Sequence, residues 1–91
     1  MDKLEEKIRK NLKPFLSHEV EVVSLKQRDA GRENLNYDVL LTYQQGNERK
    51  TAVLGVITSY HGTVWRVVCN QELVNAGYLR KFRMDDDYLY E

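Results

Sequence analysis

Hydrophobic positions change their spacing along the chain, and each change marks an element. Leu4, Ile8 and Leu12 recur every four residues, Phe15 and Leu16 extend the stripe, and charged side chains fill the other face. That spacing predicts an amphipathic helix over about 2–13. Asp2 with Glu5 three residues on resembles a capping box, and Glu5–Arg9 and Glu6–Lys10 are spaced as helical ion pairs. Pro14 disfavours helical geometry at Lys13 and has no N–H to donate, so the helix ends near 13 or bends there. One apolar stripe needs something to cover, and the rest of the chain supplies a sheet.

From His18 onward the period is two. Glu19-Val20-Glu21-Val22 alternates, but Val23 and Leu25 fall on the opposite parity, which predicts a bulge or bend near Val22-Val23 in a strand over about 18–28. A polar loop follows. Leu35, Tyr37, Val39, Leu41 and Tyr43 then alternate with Asn36, Asp38 and Thr42 as a second strand over 35–43, closed by a turn at Gln44-Gln45-Gly46-Asn47. A third strand, about 50–60, is apolar on both parities: Ala52, Leu54 and Val56 on one, Val53 and Ile57 on the other. That is the signature of a central strand covered on both faces. Gly55 interrupts it, implying a bulge or the close approach of another backbone. Tyr60-His61-Gly62-Thr63 is a hairpin signal, and 63–69 follows as a fourth strand with Trp65, Val67 and Cys69 on one side. Residues 71–83 fit either a helix through Leu73, Ala76 and Arg80 or a strand turned by Asn75-Ala76-Gly77. The tail from Met84 to Glu91 reads as exposed.

The order is one helix and then four strands on short turns, without repeats or linkers. It predicts a single α+β domain over 1–91: an N-terminal helix packed across a four-stranded antiparallel meander, with a C-terminal segment, 71–91, of either type. The stretch Val53-Leu54-Gly55-Val56-Ile57-Thr58-Ser59-Tyr60-His61-Gly62-Thr63-Val64-Trp65-Arg66-Val67-Val68 resembles the late hairpin of cystatin-like and NTF2-like domains, in which a Gly turn precedes a Trp-containing last strand. The resemblance covers element order over about 1–69 and implies architecture. The chain lacks the further N-terminal helices of NTF2-like domains and the Gln-x-Val-x-Gly segment of inhibitory cystatins. Cysteine-protease inhibition therefore does not carry over, and the fold by itself implies no activity.

Composition narrows the classes. Ninety-one residues allow one modest core but not a deep, enclosed active site as well. Fourteen Lys and Arg balance fourteen Asp and Glu, which argues against a dedicated nucleic-acid binder. One cysteine excludes an internal disulfide framework, no apolar run reaches the ~18 residues of a membrane span, and the first residues lack a signal-peptide pattern. The expectation is a cytoplasmic protein without a membrane partner.

Candidate chemistry is sparse. Cys69 ends its strand among apolar residues, with only His18 and His61 as potential bases, and His61 sits at the strand's other end, roughly 20 Å away. No metal-ligand spacing and no phosphate loop occur, so no metal, cofactor or catalytic residue is assigned. The informative region is the C-terminus. Tyr78, Arg80 and Phe82, with Tyr88 and Tyr90 beyond an acidic spacer and Trp65 in support, fit a protein contact. A sheet apolar on both faces needs a second cover, either 71–90 or another subunit. The sequence therefore reads as a non-catalytic protein-binding or dimerisation module, self-paired or bound to another protein. One alternative is a shallow ligand pocket between helix and sheet, lined by Tyr37, Tyr43, Tyr60 and Trp65 with His61 or Asp38. Another is weak single-stranded nucleic-acid binding through Arg80, Lys81 and Arg83, opposed by Asp85, Asp86, Asp87 and Glu91.

Overall fold

The computed structural model describes residues 3–80 and 88–90. Helix α1 spans Lys3–Leu12 and passes into a 3-10 turn, Lys13–Phe15, that holds Pro14. The proline ends the α-helix where its missing N–H requires, and Leu16 N–H closes the turn on Lys13 O at 3.1 Å. Asp2, the expected cap, lies outside the described residues.

Strands β1 (Val20–Ala30), β2 (Asn34–Gln45), β3 (Glu48–Ser59) and β4 (Val64–Cys69) form the antiparallel meander in chain order. A fifth strand, β5 (Tyr88–Tyr90), joins β4 in parallel, in register with Val67 to Cys69. Part of the tail expected to be exposed is thus a strand of the sheet. Residues 84–87 and 91 lie outside the described set.

The segment after β4 starts as a helix and is turned at Asn75-Ala76-Gly77, with a single bridge from Leu79 to Leu16 in place of a strand. Helix α2 is only Gln71–Asn75, started by the Asn70 side chain accepting from Glu72 N–H at 2.9 Å. Gly77, at φ +86°, ends it: Gly77 N–H reaches Val74 O and Tyr78 N–H reaches Leu73 O, each at 3.0 Å. The Asn75-Ala76-Gly77 turn therefore stops the helix before Arg80.

One layer of side chains joins α1 to the sheet. Ile8, Leu12, Phe15 and Leu16 meet Leu35, Tyr37, Val39 and Leu41 of β2, Leu54 and Val56 of β3, and Val67 and Cys69 of β4. Leu73 and Leu79 complete this core. Three register shifts interrupt the sheet, at Val22/Ser24, at Gln27/Asp29 and opposite Ile57/Thr58, and the first and last decide which apolar residues face away from the core. In β1 the register slips between Val22 and Ser24, as the parity change predicts. Val22 and Leu25 both pack on the core, so Val23 and Ser24 turn outward together. In β4 the register slips opposite Ile57/Thr58, with Val64 and Val67 on the core side. Trp65 and Arg66 therefore both face outward. This corrects the simple alternation, which places Trp65 with Val67 and Cys69; one extra residue reverses its side.

Gly55 is no bulge in the β2–β3 ladder, where Asp38 opposes it in unbroken register. It marks a close approach: a Cβ there would stand 3.3 Å from the Val68 Cβ. Within one chain the described residues cover β3 on its core face only. Leu54 and Val56 are buried, but Val53 is 60% exposed.

The β1 bulge is braced from the helix. Successive carbonyls of a regular strand point to opposite edges, whereas a bulge disturbs that alternation. Arg9 Nη1 donates to Val22 O and Nη2 to Val23 O, both at 3.0 Å. Arg9→Ala removes this charge-assisted fork and is expected to cost roughly 1–2 kcal/mol, with Arg9→Lys restoring only part. Urea unfolding checks it, and an unchanged midpoint would refute the bracing role.

Candidate functional site

The sheet face turned away from α1 carries an apolar band that crosses four strands. Leu40 stands opposite Val53, and Gly55 opposite Val68. Ile57 opposes Arg66, and the two bulges add Val23 at one side and Trp65 at the other. Val23 is 47% exposed and Trp65 44%. Gly55 lies in the middle of the band, where Val68 crowds the place its side chain would take. With strands about 4.8 Å apart and a rise of about 3.4 Å, four strands of roughly seven residues span a face of about 20 × 24 Å.

Charges of both signs border the band. Lys26 opposes Asp38, whose carboxylate lies 3.8 Å from the Arg28 guanidinium. At the other end Arg49 reaches Glu21 at 3.3 Å and donates to Thr42 Oγ1 at 2.8 Å. Both ion pairs are solvent-exposed and hold the rim polar without adding much stability.

The residues singled out from the sequence are divided between faces. Trp65 belongs to the apolar band. Tyr78 is half-buried: its ring centroid lies 4.6 Å from that of Tyr43, tilted by 50°, and its hydroxyl donates to Gln44 O at 2.8 Å. It therefore closes the end of the domain. Arg80 lines a groove beside α1, its N–H bonded to Phe15 O at 2.7 Å. Tyr88 and Tyr90 belong to β5. Phe82, Lys81 and Arg83 lie outside the described residues.

The aromatic set of the alternative pocket is scattered. Tyr37 is only 2% exposed, within the core under α1, and Tyr43 packs on Tyr78. Tyr60 donates its hydroxyl to Gly31 O, Trp65 faces outward, and Asp38 lies on the outer face. Cys69 is buried in the core, while His18 and His61 are exposed in turns. Among the described residues no group of three His, Cys, Asp or Glu is placed to hold a metal ion.

What sequence reasoning missed is Val23, Leu40, Val53 and Val68 as one surface. The signals were present, in the apolar second parity of β3 and the parity slip in β1, but joining them requires the register. No protein-family model, curated protein or solved structure matches this chain. No helix of the described residues is long and apolar enough to cross a membrane.

Proposed function

We propose that this protein is a non-catalytic binding module that pairs with a second copy of itself through the open face of its sheet. The observation that carries the reading is the band Val23–Leu40–Val53–Val68–Ile57–Trp65, apolar across four strands and bordered by charges of both signs. An isolated exposed valine is ordinary; a contiguous apolar band on a small domain marks a contact surface. Two such faces pack sheet on sheet about 10 Å apart. A two-fold arrangement suits a face carrying Lys26 and Arg66 as well as Asp38, since a face of one sign would repel its own copy.

The face is small. Roughly 450–500 Å² per partner gives about 1,000 Å² in all, the lower end of specific interfaces, so the dimer dissociates in the micromolar range. Sedimentation equilibrium tests this. Wild type is expected to move from monomer to dimer between roughly 1 and 100 µM, and Val53→Glu to remain monomeric with its thermal unfolding preserved. A wild-type chain that stays monomeric at the highest concentration, or a Val53→Glu chain that dimerises as wild type does, overturns the reading.

A further inference from the structure

On the opposite side of the molecule, an open groove of about 800 Å³ runs between α1, the exit of the 3-10 turn and the start of edge strand β1. Leu16, Val20 and Val22 give it an aliphatic floor. Arg9, Lys10, Lys13 and Arg80 line it against the carboxylate of Glu6; Glu21 also borders it, but its carboxylate is drawn to the outer sheet face by Arg49. His18 stands at the same groove. Two buried polar atoms among its lining residues have no hydrogen-bond partner: Ser17 Oγ and Arg9 Nε.

Each of those atoms can donate. Arg9 spends its two terminal nitrogens on Val22 O and Val23 O, which leaves the Nε–H for something else. The backbone of Ser17 is likewise used: its N–H goes to Tyr78 O at 2.9 Å, and its carbonyl accepts from Val20 N–H at 3.2 Å. Buried donors without acceptors are rare in folded proteins, and a pair of them on residues that line one cationic groove leaves two hydrogen bonds that acceptor oxygens from outside could take once the side chains adjust. The surplus of cations favours an oxyanion, and the aliphatic floor favours an apolar body attached to it.

We propose that this groove binds an amphiphilic anion, a carboxylate or phosphate head on a short aliphatic body. The head takes the hydrogen bonds of Ser17 and Arg9 and the charge of Lys13 and Arg80, and the body lies on Leu16, Val20 and Val22. This site is separate from the sheet face, and neither proposal rests on the other.

The test is an amide-resolved NMR titration of the whole chain with octanoate and with octyl phosphate, set beside octanol and inorganic phosphate. Both amphiphilic anions are expected to shift amides of residues 16–22 and 80, and their relative affinity identifies the preferred head. Because Lys13 and Arg80 are exposed, Lys13→Gln/Arg80→Gln folds normally and is expected to weaken binding about tenfold or more. Ser17→Ala is expected to weaken it several-fold while leaving the β2–β3 amides in place. Absence of localised shifts with either anion, octanol binding as well as octanoate, or affinity indifferent to the double substitution would each overturn the proposal. So would oligothymidylate displacing both anions at low salt, which would reassign the groove to nucleic acid.

Discussion

Leu54→Ala is expected to lower the unfolding free energy by about 3–4 kcal/mol, whereas Val53→Ala, one residue away, shifts the monomer by no more than about 0.5 kcal/mol. Leu54 is completely buried in the middle of β3, in register with Val39, and truncation leaves a cavity that a central strand, paired with β2 and β4 at its two edges, cannot close. A chain of this length commands roughly 5–14 kcal/mol in total, so the first substitution removes a large share of it. Val53 pairs with Leu40 on the outer face and is 60% exposed, so the lone monomer loses almost nothing. Its loss appears instead in association. Urea titrations at about 1 µM, where the proposed dimer is dissociated, isolate the monomer terms, and sedimentation at higher concentration reads the pairing. Equal destabilisation by both substitutions would mean that β3 is buried on two sides within one chain.

That contrast also explains which parts of the fold are legible in the sequence. Periodicity reports that a residue is apolar and which parity it occupies, and this suffices for α1, the four-stranded meander and the β1 bulge. It does not report whether an apolar parity is covered. Val53 and Ile57 look like core because, in isolation, a contact surface and a core face have the same composition. The β4 bulge was hidden for a related reason. Val64-Trp65-Arg66-Val67 is consistent with plain alternation, and only the pairing of Thr58 with Val64 and Ile57 with Arg66 exposes the extra residue. A single misplaced count moved Trp65 to the wrong face.

The cationic groove was less legible still. Arg9, Ser17 and Arg80 are far apart in sequence, and each alone has a bland explanation: a helix-surface cation, a turn residue, a basic stretch. They come together because residues 15–17 and 78–80 bridge, through Leu16 paired with Leu79 and Arg80 N–H on Phe15 O. No short-range pattern announces such a pairing. The unpaired state of Ser17 Oγ and Arg9 Nε is a property of the packed structure alone.

Gly62→Ala is expected to cost about 2–3 kcal/mol, far more than an exposed turn position normally would. Gly62 has φ +89°, a region that penalises any residue with a Cβ by about 1–2 kcal/mol. The second contribution comes from the helix. An added Cβ would stand 3.2 Å from Lys7 Cγ, 3.3 Å from Lys7 Cβ and 3.4 Å from Leu4 Cδ1, so α1 must shift to admit it. That shift pulls on Asn11, whose Nδ2 donates to Gly62 O at 2.7 Å and ties the helix to the β3–β4 turn. The turn itself cannot yield easily. Ser59 Oγ accepts from both His61 N–H and Thr63 N–H, and Ser59 O accepts from Gly62 N–H. Gly46→Ala supplies the control, because Gly46 also has positive φ, at +62°, but an added Cβ there meets nothing within 4 Å. It should cost only the backbone term, about 1 kcal/mol. The difference between the two variants, measured by thermal or urea unfolding, is the energy with which α1 is seated on the turn. Hydrogen exchange should locate it, with protection lost in α1 for Gly62→Ala and retained there for Gly46→Ala. If the two variants were equally destabilised, α1 would be held by its apolar stripe alone and the turn would be an ordinary hairpin.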